Sequence, residues 1–161
     1  MKKWSMHGTI VSVGVALILT GCNSNNKVGD DLEVYYNDHI LPIQTDIDEA
    51  WDEFFTETES LSDEEFYEVY ESELKPELDE YYEELQALNP ETEDVQELHS
   101  LYLDANDVFY EAGEKEVEGH YRQDDDLLSE SDDLFAEYDR LEDEFLIELE
   151  RLMEETGAEY E

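Results

Sequence analysis

The chain has 161 residues, of which 49 are acidic and only eight are lysine or arginine, giving a formal net charge of −41 at pH 7. Such a chain repels nucleic acid and anionic lipid surfaces, which excludes both as charge-driven partners. A single cysteine excludes an intrachain disulfide, so packing alone must hold the fold. Disorder is the usual outcome for so acidic a composition, yet Trp51, six phenylalanines and eleven tyrosines recur at helical intervals and call for a core.

At the start of the chain Lys2 and Lys3 give a positive end, and an apolar stretch runs from about Ile10 to Leu19. Thr20 and Gly21 then lead into Cys22. The apolar stretch is about 10 to 13 residues long, short of the roughly 20 that a spanning helix needs. Gly8, Ser12 and Gly14 dilute it further, so it reads as an export signal. The tetrapeptide Leu19-Thr20-Gly21-Cys22 resembles the lipobox of bacterial lipoproteins. That resemblance implies removal of residues 1–21, a diacylglyceryl group on the Cys22 sulfur and an acyl chain on its amino group. Acyl chains in that number hold a protein stably to a membrane, at about 0.8 kcal/mol per buried methylene. The implied location is extracytoplasmic, at the outer face of the cell membrane. The expected organisation is a leader over 1–21, a lipidated cysteine and polar tether over 22–29, a helical domain over 30–157 and a short tail over 158–161.

After the tether the hydrophobic period is 3.6, and no alternating strand stands out. The first helix carries Tyr36, Ile40, Ile43, Ile47, Ala50, Trp51 and Phe54 on one face, with a kink or restart expected at Pro42. Ser62-Asp63-Glu64-Glu65 spells a capping box, opening a second helix with Phe66, Val69, Tyr70, Leu74, Leu78, Tyr81, Leu85 and Leu88 inward. Pro76 marks a second expected kink, and Asn89-Pro90 ends the segment. A third helix starts near Thr92 with Val95, Leu98, Leu101, Tyr102, Ala105, Val108, Phe109 and Ala112 as its stripe. Gly113 and Gly119 weaken its later turns. Asp124-Asp125-Asp126 interrupts the pattern, as a loop or as a solvated turn within one long helix. The last stripe is Leu127, Leu134, Tyr138, Leu141, Phe145, Leu149 and Leu152, stopping near Thr156-Gly157.

Such stripes are buried only by packing together, so the expected fold is all-α: an antiparallel three- or four-helix bundle of long, kinked amphipathic helices. The segment from Asp94 to Ala105 (Asp-Val-Gln-Glu-Leu-His-Ser-Leu-Tyr-Leu-Asp-Ala) resembles small all-helical Gram-positive lipoproteins described as cell-wall-binding. The resemblance is a general pattern and supports the fold.

Catalytic and metal signatures are sparse. A di-iron bundle needs Glu-x-x-His pairs, but Gln96 precedes His99 and Val117 precedes His120 at that spacing. Glu116 and His120 could share a metal as an i, i+4 pair. The acidic run with Asp124, Asp126 and Glu130 is the best calcium candidate, although it lacks the glycine and glutamate positions of an EF-hand, and a solvated acidic turn explains it more simply. Serine-nucleophile, phosphate-loop and zinc-ligand patterns are absent. Tyr35-Tyr36 and Tyr81-Tyr82 place neighbours about 100° apart on a helix, so one of each pair could stay at the surface and meet glycan or protein, although packing at the edge of the bundle stripe explains them more simply.

The expected function is therefore a non-enzymatic, lipid-anchored envelope protein without a cofactor, structural or binding in role. Its partner would be a cell-wall polymer or another envelope protein. Its acidity would suit a saline or alkaline medium, since salt screens self-repulsion and carboxylates keep their charge at high pH. The alternative is a cation-binding surface that concentrates calcium, sodium or protons.

Overall fold

The computed structural model describes residues 16–19 and 27–160. Cys22, the tether up to residue 26, most of the leader and Glu161 lie outside the described residues.

Four long helices form the body. An α-helix over Lys27–Val34, a π-helical segment over Tyr35–Ile40 and an α-helix over Leu41–Thr58 run on continuously as α1. Asp63–Val69, the π-helical segment Tyr70–Leu74 and Lys75–Ala87 likewise make up α2. Helix α3 spans Glu93–Arg122 and α4 spans Asp125–Thr156. The chain is thus an all-α bundle whose successive helices are joined by short loops. Its most extensive helix contact is the α3–α4 hairpin.

The helix ends follow local chemistry. Ser62 Oγ accepts from the Glu65 amide, and the Ser62 amide donates to the Glu65 carboxylate at 3.0 Å, the reciprocal box that its sequence spells. Helix α2 ends at Ala87, with Leu88 extended ahead of Asn89-Pro90. Between α3 and α4 the chain breaks: Gln123 adopts the left-handed region at φ 55°, and Asp124 is extended. The acidic run therefore starts at a helix-to-helix turn and runs into α4, with Asp125 and Asp126 in the first turn of that helix.

Neither proline breaks or restarts its helix. Pro42 and Pro76 each follow a π-helical segment by two residues, and the amide just before each ring donates five residues back, Leu41 to Tyr36 and Lys75 to Tyr70. A proline ring crowds the carbonyl four residues behind it and offers no amide to bond it. Widening the preceding turn accommodates that carbonyl without ending the helix.

The core has three linked parts. At one end Leu32, Tyr35, Tyr36, Ile40, Leu98, Leu149 and Leu152 pack together. An aromatic cluster of Trp51, Phe54, Phe66 and Tyr70 joins α1 to α2, with Phe54 and Phe66 edge to face at 4.7 Å. Phe109, Phe135 and Tyr138 fill the α3–α4 seam. Leu98 and Leu149 are fully buried, and each contributes about 1.5–3 kcal/mol by leaving water.

A two-stranded antiparallel sheet closes one end. Strand β1, Leu17–Leu19, pairs with β2, Ala158–Tyr160, in the register Leu17 to Tyr160 and Leu19 to Ala158. Residues 158–161 read from sequence as a tail and 22–29 as a tether, whereas Ala158–Tyr160 form this strand and Lys27–Gly29 open α1. Three-residue strands carry too little alternation to stand out against helical periods.

Candidate functional site

The surface is dominated by carboxylates, and every lysine and arginine between residues 27 and 160 is ion-paired. Lys27 meets Glu91, Lys115 meets Glu111 and Glu130, and Arg122 meets Glu118. Arg140 bridges Glu137 and Glu144, while Arg151 gathers Asp94, Glu148 and Glu155. Arg151 holds the Glu148 carboxyl below its usual range through their hydrogen bonds. Lys75 is bound by an aromatic ring as well as a carboxylate. Its Nζ donates to Glu114 at 2.6 Å and to Tyr110 Oη at 2.9 Å, and it lies over the Tyr110 ring at 5.0 Å. Burial alone would lower its ammonium, but the hydrogen bonds to Glu114 and Tyr110 outweigh that and hold it well above the lysine range.

Of the residues singled out for metal binding, Asp124 and Glu130 make contacts within the fold. Asp124 Oδ1 accepts from the amides of Asp126 at 3.0 Å and Leu127 at 3.3 Å, capping α4. Asp126 lies in the first turn of that helix, and Glu130 is held by Lys115 at 2.8 Å. Glu116 and His120 approach to 3.9 Å on α3. Among the described residues no group of three or more histidine, cysteine, aspartate and glutamate side chains is arranged to hold a metal ion.

Tyr35 and Tyr36 are both buried, which agrees with packing in the bundle and removes the alternative expectation that one of the pair stays at the surface. They open the π-helical segment, and its wider turn departs from the 100° step on which that expectation rests. Tyr81 and Tyr82 are both half-buried. Tyr81 Oη donates to Glu77, and Tyr82 stacks on Tyr110 at 5.8 Å. Tyr35 Oη lies 3.1 Å from His99 Nδ1 in the core. Burial lowers the His99 imidazole below its ordinary range, and the Leu85 carbonyl opposes this only partly. His99 Nε2 makes no hydrogen bond of normal geometry among the described residues.

A cleft of about 400 Å³ opens beside the start of α1. Two of its charged side chains, Asp31 and Lys27, hold the α2–α3 loop. Asp31 accepts from the amides of Glu91 at 3.1 Å and Thr92 at 2.7 Å, and from the Thr92 hydroxyl at 2.6 Å, which ties the α2–α3 loop to α1.

The seat of β1 is the most specific polar arrangement at this end. Asn37, in the π-helical segment of α1, donates from Nδ2 to the Leu17 carbonyl at 2.7 Å and accepts the Leu17 amide on Oδ1 at 2.8 Å. The Leu17 side chain is fully buried, Leu19 is half-buried and Ile18 faces outward. These three residues belong to the expected leader. The expected lipidation point, Cys22, falls between β1 and α1, outside the described residues.

No helix among the described residues is long and apolar enough to cross a membrane. No protein-family model, no curated protein and no solved structure matches the chain.

Proposed function

We propose that this protein is a non-enzymatic envelope lipoprotein, held at the outer face of the cell membrane by acyl chains on Cys22, with a structural or binding role toward a wall polymer or an envelope protein. The observation that carries this reading is the tetrapeptide Leu19-Thr20-Gly21-Cys22 behind a lysine-led apolar stretch. Two features of the bundle support it. Short loops join the helices, and polar side chains such as Asp31 and Lys75 tie neighbouring helices and loops together. The surface carries a large excess of carboxylates over a few paired cations, which suits a saline or alkaline exterior where charge is screened or lysine would lose its proton.

Fatty-acid labelling tests the anchor. Cells producing the wild-type chain incorporate labelled fatty acid into it, and cells producing Cys22→Ala do not. Equal labelling of the two would sink the reading.

A further inference from the structure

We propose that the seat of β1 is a docking groove for an extended, leucine-bearing, positively charged peptide strand of another envelope protein, and that it opens when the leader is removed. This rests on cleavage before Cys22, which takes Leu17–Leu19 away with residues 1–21.

The groove is defined by what occupies it. Asn37 holds the amide and the carbonyl of a single residue, Leu17, through one side-chain amide. Such a two-way grip recognises extended backbone whatever the side chain. Strand β2 supplies a second backbone edge along the same three residues. Together these are the elements of strand addition, in which main-chain bonds give affinity and alternate side-chain pockets give specificity. The pocket belongs to the core cluster of Leu32, Tyr35, Tyr36, Leu152 and Ala158, and it buries Leu17 completely. An aliphatic side chain is thus selected at that position, while the next one, at Ile18, faces outward.

Cleavage leaves this arrangement without its strand. An exposed strand edge over an apolar slot is a surface that pairs with another chain. Charge narrows the partner. Asp30 and Glu33 lie on the part of α1 that packs against β1, Asp38 follows Asn37, and Glu159 sits in β2. A strand flanked by lysine or arginine would be drawn in, and an acidic one repelled.

The test uses the mature lipoprotein, purified in detergent, and a fluorescent probe peptide of two lysines followed by the sequence of residues 15–20. Intact mass comes first. A chain that still carries residues 1–21 overturns cleavage and the groove with it. For the cleaved protein, saturable binding is expected to weaken at least about tenfold when the probe leucine matching Leu17 becomes aspartate. Asn37→Ala should weaken binding similarly, and Asn37→Asp less, because the carboxylate still accepts the amide but no longer donates. If Asn37→Ala loses its helical circular dichroism, the probe substitution decides alone. Equal binding of both probes to the cleaved wild type overturns the groove while leaving the lipoprotein reading intact, and binding to micelles without protein is subtracted for each probe. A dimer of the cleaved wild type that Asn37→Ala dissociates would assign the seat to a second copy and overturn the proposed partner.

Discussion

Tyr35 Oη and His99 Nδ1 meet at 3.1 Å in the core, with their rings edge to face at 5.5 Å between centroids. The pair joins α1 to α3, and His99 is 6 % exposed. Burial keeps the imidazole neutral in the folded chain and lowers its affinity for a proton below the ordinary value of 6.5. Above 6.5 neither state binds that proton, and this part of the stability is complete. As pH falls below 6.5 the unfolded chain takes up a proton that the folded chain refuses, so stability is lost. His99→Gln, which does not titrate, removes this dependence. Melting temperatures of the two proteins should therefore converge between about pH 7 and about pH 5, and a constant gap would contradict the assignment.

The alkaline limit is set by tyrosine. Burial raises the phenols of Tyr35, Tyr70, Tyr102 and Tyr138 well above the ordinary value of 10.0, and pushes Tyr36 up to about 12. Their contribution is complete below pH 10. It falls as pH rises further, because the unfolded chain releases protons that the folded chain retains. The expected result is a helical signal steady up to about pH 10, then cooperative loss accompanied by phenolate absorbance. Phenolate absorbance of all eleven tyrosines growing near pH 10 while the helices persist would show these five to be exposed.

Two glycines of α3 should respond oppositely to alanine. A Cβ at Gly113 would meet Trp51 at 3.9 Å, an ordinary contact, so Gly113→Ala should gain most of the roughly 1 kcal/mol that separates alanine from glycine in a helix. A Cβ at Gly119 would lie 2.9 Å from Leu128 Cδ2, 3.0 Å from its Cγ and 3.2 Å from Leu127 Cβ. Helix α4 starts so close to α3 there that Gly119→Ala should destabilise despite its better propensity. Denaturant midpoints check both, and stabilisation by Gly119→Ala would show that the hairpin relaxes freely.

The stripes of α1 to α4 were legible because a helix face repeats over many turns, and Trp51, Phe54, Phe66 and Tyr70 stand where the period puts them. The Ser62 box was legible because its chemistry is local. The π-helical turns before Pro42 and Pro76 were not, since a proline signals a missing amide without saying how the chain absorbs it. The pairing of Leu17–Leu19 with Ala158–Tyr160 joins opposite ends of the sequence, and no local signal encodes it. Asp124 illustrates a third limit. Among 49 acidic residues, register alone decides which carboxylate caps a helix and which stays solvated.

Salt should stabilise the fold strongly. With all six cations of residues 27–160 paired, the remaining carboxylates repel one another, and the screening length shortens from about 10 Å at 0.1 M to about 3 Å at 1 M. Melting temperature should rise steadily with sodium chloride. Millimolar calcium at matched ionic strength should add no saturable increment, since Asp124 caps α4 and Glu130 pairs with Lys115. A saturable calcium increment, abolished by changing Asp124, Asp126 or Glu130, would favour the cation-binding alternative.

The most direct test of the central claim is the mass of the N-terminal peptide of the protein recovered from bacterial membranes. The account predicts a peptide that begins at Cys22 and carries a diacylglyceryl group with an added acyl chain. A peptide that begins upstream, with Leu17–Leu19 in place and Cys22 unmodified, would contradict it and make β1 a permanent strand of the fold.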